Sequence, residues 1–235
     1  MSCPLLIIQT GHTPDPIRAR HGDFDHWFRL ATRCRRDQVQ TVDVGAGQPL
    51  PALAEVERVL VTGSSAMLTD PPDWVDPVSD WLMEAFKAKR PMFGVCFGHQ
   101  LMCRALGGQI DWLDGPREMG TKRIELLEAI DDDPLLRGFP RQFYGHTTHS
   151  QTVCKAPDSA QVLARSRREH HHIVRYAPHA MSTQFHPEMS VAVIRDYIKL
   201  RRDGLREEGQ VPDCLLRATR PTPWARRLLH RFARL

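Results

Sequence analysis

Two rhythms of apolar and polar positions alternate along the chain. Leu5–Gln9 is almost wholly apolar and of strand length, and residues 10–16 are too rich in Gly and Pro to continue it. From 23 to 32, Phe24, Trp27, Phe28 and Ala31 recur at helical spacing, which closes one strand-loop-helix unit. Further strands are predicted at 40–44, 58–61 and 91–95, with helices at 77–89 and 97–106. Apolar strands separated by helical segments predict an α/β fold with a largely parallel sheet and helices on both faces. After Gly107-Gly108 the rhythm changes. Short strands at 122–127, 142–144, 161–164, 173–176 and 181–185 with loops between them predict antiparallel or mixed pairing. A helix returns at 190–202. Residues 204–221 read as a loop, and 223–235 as a helix with Trp224, Leu228, Phe232 and Leu235 on one stripe.

Composition narrows the function classes. The 235 residues are 41% apolar, enough for one compact domain, and no apolar run reaches the roughly 18–20 residues of a membrane helix. The formal charge of +4 is more than accounted for by six arginines between Arg217 and Arg234, so the body is slightly acidic and no nucleic-acid partner is expected. Residues 204–235 are expected to form a basic loop and helix docked on the single domain 1–235. Met1-Ser2-Cys3-Pro4 lacks the features of a secretory signal, which predicts a cytoplasmic protein without membrane attachment. Six scattered cysteines without Cys-x-x-Cys spacing are expected as reduced thiols.

The chemistry concentrates at Gly94-Val95-Cys96-Phe97-Gly98-His99-Gln100, between an apolar strand and a helix. A sharp strand-to-helix turn exposes the side chain at its tip, the flanking glycines permit close approach, and the helix N-terminus favours a thiolate. A thiol attacking an amide needs a base and a group to orient that base. Gln184-Phe185-His186-Pro187-Glu188 offers both, because residues two apart in extended chain share a face and Pro187 holds His186 extended. His170-His171-His172 follows Arg167-Arg168-Glu169 and reads as a solvated turn; no metal is expected there. Cys103 is expected in the core.

The Cys96 elbow together with Phe185-His186-Pro187-Glu188, about ninety residues on, resembles the signature of the class I, triad-type glutamine amidotransferases. Gln9-Thr10-Gly11-His12, His21-Gly22-Asp23-Phe24 and Val61-Thr62-Gly63-Ser64 further resemble the stand-alone, GMP-synthase-like branch, which is also similar to γ-glutamyl peptidases of plants. The resemblance implies a flavodoxin-like three-layer sandwich with Cys96 as nucleophile, His186 as general base and acid, and Glu188 as its orienting carboxylate. Phe97 and Gly63 match positions whose backbone N–H groups hold the oxyanion, and Gln100 a position that contacts substrate glutamine.

Thr148-His149-Ser150-Gln151 resembles the family's Ser-His-x-Asp loop, so that His149 and Ser150 are implied to line the glutamine pocket, but Gln151 stands where the acid is usual. The implied reaction is hydrolysis of glutamine through a cysteine thioester, with no cofactor. The stretch after Glu188 is too short for a synthetase domain, and no P-loop is present. Ammonia is therefore expected to pass to a separate synthetase subunit, or the protein is a hydrolase of γ-glutamyl compounds in its own right. A binding or regulatory protein on the same fold is a third reading, disfavoured by retention of all three triad residues.

Overall fold

The computed structural model describes residues 5–127, 130 and 133–235. Among the described residues nine strands form the central sheet. β1 (Leu5–Gln9) lies between β2 (Val39–Asp43) and β3 (Val59–Val61), and β4 (Met92–Val95) and β11 (Ala180–Thr183) follow β3, every pairing parallel. The sheet then continues antiparallel through β10 (Ile173–Ala177), β9 (Gln161–Arg165), β6 (Glu118–Leu126) and β7 (Gln142–His149). The change of rhythm after Gly107-Gly108 is this switch from parallel to antiparallel pairing.

β1 shows how the sequence makes three layers. Leu5 and Ile7 enter one buried cluster and Leu6 and Ile8 another, as alternating side chains must. The first cluster holds Trp27 and Phe28 of α2 (Phe24–Thr32), Ile194 and Tyr197 of α5 (Val191–Leu200), and Leu228 and Phe232 of α8 (Pro223–Phe232). The second holds Val78 and Leu82 of α3 (Val75–Lys87) with Leu101 and Met102 of α4 (Phe97–Ala105). Phe232 is fully buried with its ring 5.4 Å from that of Phe93, a burial that contributes about 2–3 kcal/mol.

Several elements differ from the sequence expectation. Residues 10–16 are not all loop, because α1 (Asp15–His21) starts there with a proline in its first turn, where the missing N–H costs nothing. β7 runs to His149, well past the expected 144. β5 (Gln109–Trp112) pairs with β8 (Gln151–Lys155) in a small second sheet. The region 204–221 contains α6 (Arg202–Glu207) and α7 (Pro212–Ala218), because Leu205 is fully buried and Leu215 and Leu216 pack against the core. Leu235 leaves the apolar stripe and is exposed.

Not all arginines of the C-terminal helix face solvent: Arg231 donates to the carbonyls of Leu135 and Arg137 at 2.8 and 2.7 Å. Cys34, Cys96, Cys103, Cys154 and Cys214 are free thiols, and Cys3 lies outside the described residues. Among the described residues no helix is long and apolar enough to cross a membrane.

Candidate active site

Cys96 sits between the last residue of β4 and the first of α4. Its backbone is at φ 55°, ψ −105°, a conformation costly for a residue with a Cβ, held by a hydrogen bond from its N–H to the Thr183 carbonyl at 2.9 Å. Two glycines are required beside it. A Cβ on Gly94 would collide with the Gly98 carbonyl, and one on Gly98 with the Val61 carbonyl at the end of β3. The turn thus packs backbone against backbone, and it leaves the thiol at the N-terminal end of α4, whose first amides have no acceptor within the helix.

His186 and Glu188 leave the sheet just after β11. The ring Nδ1–H of His186 donates to Glu188 Oε1 at 2.6 Å, and the His186 amide donates to the His146 carbonyl of β7 at 2.7 Å, which fixes the direction of the segment. Both side chains are buried. Nε2 of His186 has no hydrogen-bond partner among the described residues and is the nitrogen left for the thiol. Gly63 lies against the pair: a Cβ there would come 3.1 Å from His186 Cε1 and 3.7 Å from Cys96 Cβ.

The electrostatics favour thiolate and imidazolium. Burial pushes the Cys96 thiol up, but the charge and hydrogen bond of His186, with the charge of His149, together outweigh it and leave the thiol below its ordinary value. Burial likewise pulls His186 down, and the Glu188 carboxylate, followed by the Cys96 sulfur, raises it well above the usual imidazole range.

The family model of the class I glutamine amidotransferases matches residues 37–198, a span that includes Cys96, Gly63, His186 and Glu188. The chain belongs to this family. Among its relatives is one subunit of the glutamine-hydrolysing GMP synthase of Archaeoglobus fulgidus, 26% identical over 187 residues that cover 77% of this chain and 94% of that protein. The corresponding polypeptide of Methanopyrus kandleri is 30% identical over 125 residues, 51% of this chain and 65% of its own length. A GMP synthase of Lactobacillus delbrueckii is 38% identical over 84 residues, and the match spans only 16% of that longer protein. A glutamine amidotransferase structure from Thermotoga maritima superposes with a TM-score of 0.77 over 98% of this chain and 99% of that one at 20% identity. One from Methylobacillus flagellatus gives 0.75 over 100% and 95% at 18% identity. Both share the fold.

In this chain a cavity of about 150 Å³ opens on Cys96 and His186, and Phe24, Ser64, Thr148 and Tyr197 are among the residues in its wall. Gln100, His149 and Ser150, expected to line it, are not. The buried Gln100 carboxamide donates to the Gln151 carbonyl at 2.8 Å and to Gln184 Oε1 at 3.0 Å. Because β7 extends through His149, alternate side chains point to opposite sides: Thr148 faces the cavity and His149 turns away. Ser150 is half-buried, and its carbonyl accepts the Leu113 N–H at 2.8 Å.

His149 instead enters a buried polar cluster. Its Nδ1–H donates to the Gln151 carbonyl at 2.9 Å and its Nε2 lies 3.2 Å from Glu118 Oε2. His172 Nε2 is 3.1 Å from the same oxygen, and Ser166 Oγ–H donates to Glu118 Oε1 at 2.5 Å. Burial pushes the Glu118 carboxyl up, but the two histidines hold it well below the carboxylate range. His149 is raised by this partner against its own burial, and its charge helps to lower Cys96. The solvated turn expected at 167–172 is therefore corrected: Glu169 and His172 are fully buried, because Glu169 accepts Thr152 Oγ–H at 2.6 Å and the His171 N–H at 2.8 Å. The run of three histidines hid this, since its carboxylate partner lies about fifty residues away on β6.

Sequence reasoning also missed the latch beneath Gly63. Thr10 Oγ–H donates to the Thr62 and Gly63 carbonyls at 3.1 Å each, and Ser64 Oγ–H to the Thr10 carbonyl at 2.7 Å, which locks the ends of β1 and β3 together. The resemblance of 9–12 and 61–64 to one family branch was the available signal.

Proposed function

We propose that this amidotransferase hydrolyses the side-chain amide of glutamine through a thioester on Cys96 and delivers the ammonia to a separate synthetase subunit. The observation that carries the reading is the buried His186–Glu188 hydrogen bond of 2.6 Å, with the opposite ring nitrogen unpartnered beside Cys96. The Cys96 thiolate attacks the amide carbon, and the charge developing on oxygen is held by the backbone N–H groups of Phe97 and Gly63. His186 gives its proton to the departing nitrogen, the C–N bond breaks, and ammonia leaves. Water then adds to the thioester while His186 takes its proton; the C–S bond breaks, and glutamate and the thiolate are released. Glu188 holds the imidazole in the right tautomer and stabilises its cation. These steps use no cofactor. Residues 1–235 act as one domain on which the segment 204–235 is docked.

A second reading is hydrolysis of γ-glutamyl peptides, which present the same γ-carbonyl and the same free α-amino group as glutamine. Gln151 occupies the place of the family's pocket acid, and its carboxamide is fully engaged, accepting the Leu68 N–H at 2.9 Å and donating to Thr69 Oγ1 at 2.6 Å. Position 151 therefore offers no carboxylate to a substrate α-amino group. Steady-state release of glutamate from glutamine and from γ-glutamyl peptides, with wild type and Cys96→Ala, tests both readings. Release that depends on Cys96 is expected with at least one donor, and release that survives Cys96→Ala refutes the mechanism.

A further inference from the structure

Arg201 follows the last residue of α5 and is one of the residues lining the cavity that opens on Cys96. Its Nε is buried and has no acceptor, and among the described residues no carboxylate pairs with its guanidinium. The acid in its neighbourhood is already used. Glu208 accepts the Arg117 guanidinium on Oε1, with Nε at 2.6 Å, and on Oε2 it accepts the Arg117 backbone N–H at 3.1 Å and Gln210 Nε2 at 3.3 Å. Arg201 feels the charge of Glu208 at a distance, but Arg117 takes both oxygens of that carboxylate. Burial, followed by repulsion from Arg117, pulls Arg201 below the ordinary guanidinium value.

The other charged groups in the wall are accounted for. His12 is clamped between carboxylates, Nδ1 2.7 Å from Asp23 Oδ2 and Nε2 2.8 Å from Asp43 Oδ2, and His186 is paired with Glu188. Tyr197, one turn before Arg201 on α5, lines the same wall, and burial raises its phenol well above the ordinary value, so it stays protonated. A half-buried cation with no counterion is costly, and an anionic ligand that reaches it offsets that cost through charge-assisted hydrogen bonds. Arginine is suited to the task because its fork matches the two oxygens of a carboxylate. A cavity of about 150 Å³ is below the roughly 300 Å³ at which pockets for larger ligands begin, so the group admitted is of amino-acid size.

We propose that Arg201 is a specificity-determining residue that binds a carboxylate of the γ-glutamyl donor, within the reading of the cavity as a glutamine or γ-glutamyl site. The carboxylate is either the α-carboxylate of the glutamyl group or the terminal one of a peptide leaving group. The two sources share their chemistry and separate by experiment.

Isothermal titration on Cys96→Ala protein reads affinity without turnover, so it answers even if hydrolysis of every donor fails. The ligands are glutamine, a γ-glutamyl dipeptide, its C-terminal amide, and 4-aminobutanamide, which lacks both carboxylates. Adding Arg201→Met is expected to raise the Kd of a carboxylate-bearing ligand at least tenfold, with Arg201→Lys less damaging and 4-aminobutanamide unaffected. A penalty on glutamine assigns the α-carboxylate. A penalty on the dipeptide alone, absent from its amide, assigns the leaving group. Equal Kd values with and without Arg201, an equal penalty on 4-aminobutanamide, or no saturable binding of any donor by folded Cys96→Ala protein overturns the proposal. Failure of hydrolysis with an Arg201-dependent Kd would instead refute the catalytic reading and leave this one standing.

Discussion

Glu188→Gln isolates the contribution of one charge. The substitution keeps an oxygen that can accept the Nδ1–H of His186 at the observed 2.6 Å but removes the carboxylate that raises the imidazole. For charge centres about 4 Å apart at an effective dielectric of about 20, the attraction is about 4 kcal/mol, or at most about three decades in the equilibrium that places a proton on His186. Retention of the hydrogen bond lowers the loss, so glutamate release is expected to fall by about 10- to 1000-fold, less than for His186→Ala, which loses proton transfer in both half-reactions. The sign for pH follows from the pair. Glu188 raises His186, the imidazolium lowers the Cys96 thiol, and reactive thiolate therefore persists below the ordinary thiol range in wild type. In Glu188→Gln the thiolate requires higher pH. Inactivation by iodoacetamide, followed against pH, should show a midpoint displaced upward toward about 8.5, the value of a free cysteine. A variant with an unchanged alkylation profile and near-wild-type turnover would refute the role given to this carboxylate.

Gly63→Ala keeps the backbone N–H but places a Cβ 3.1 Å from His186 Cε1, so displacement of the ring should lower activity by up to about 10²-fold with no loss of folded protein by circular dichroism; wild-type activity would remove Gly63 from the site. Glu118→Gln strips the buried histidines of their shared carboxylate and should destabilise the fold by about 3–5 kcal/mol in urea titration. Because Glu118 is depressed and His149 raised, the His149 contribution is full below the ordinary imidazole value and is lost as pH rises through its raised one, while the Glu118 contribution is lost in acid only as Glu118 protonates. A variant as stable as wild type at pH 6 would contradict this.

Much of the parallel half of the fold is legible because β1, β3 and β4 are short apolar runs bounded by glycine or a polar loop, as at Leu5–Gln9 and before Cys96. The antiparallel half is harder to read. Gly145-His146-Thr147-Thr148 carries little apolar signal, so the pattern stops β7 short, and with that goes the alternation that sends Thr148 and His149 to opposite sides. α1 escapes the pattern because Pro14 and Pro16 read as breakers, although proline in a first helical turn is a usable sign. α6 and α7 are short and polar, and they form around a few buried leucines. The grouping of Cys96, His186 and Glu188 is readable from local spacing, whereas Glu118 with His149 and His172, and Arg201 with its preoccupied neighbour Glu208, depend on partners that only the folded chain brings together.

Mapping by mass spectrometry of the adduct formed with a γ-electrophilic glutamine analogue tests the central claim most directly. Cys96 lines the cavity with its thiol held below the ordinary value beside His186, while burial pushes the Cys103 thiol up to about 12. One adduct per chain is expected, on Cys96, lost in Cys96→Ala and blocked by excess substrate. A substrate-protected adduct on any other cysteine, or none on Cys96 in folded protein, would contradict the assignment of the nucleophile.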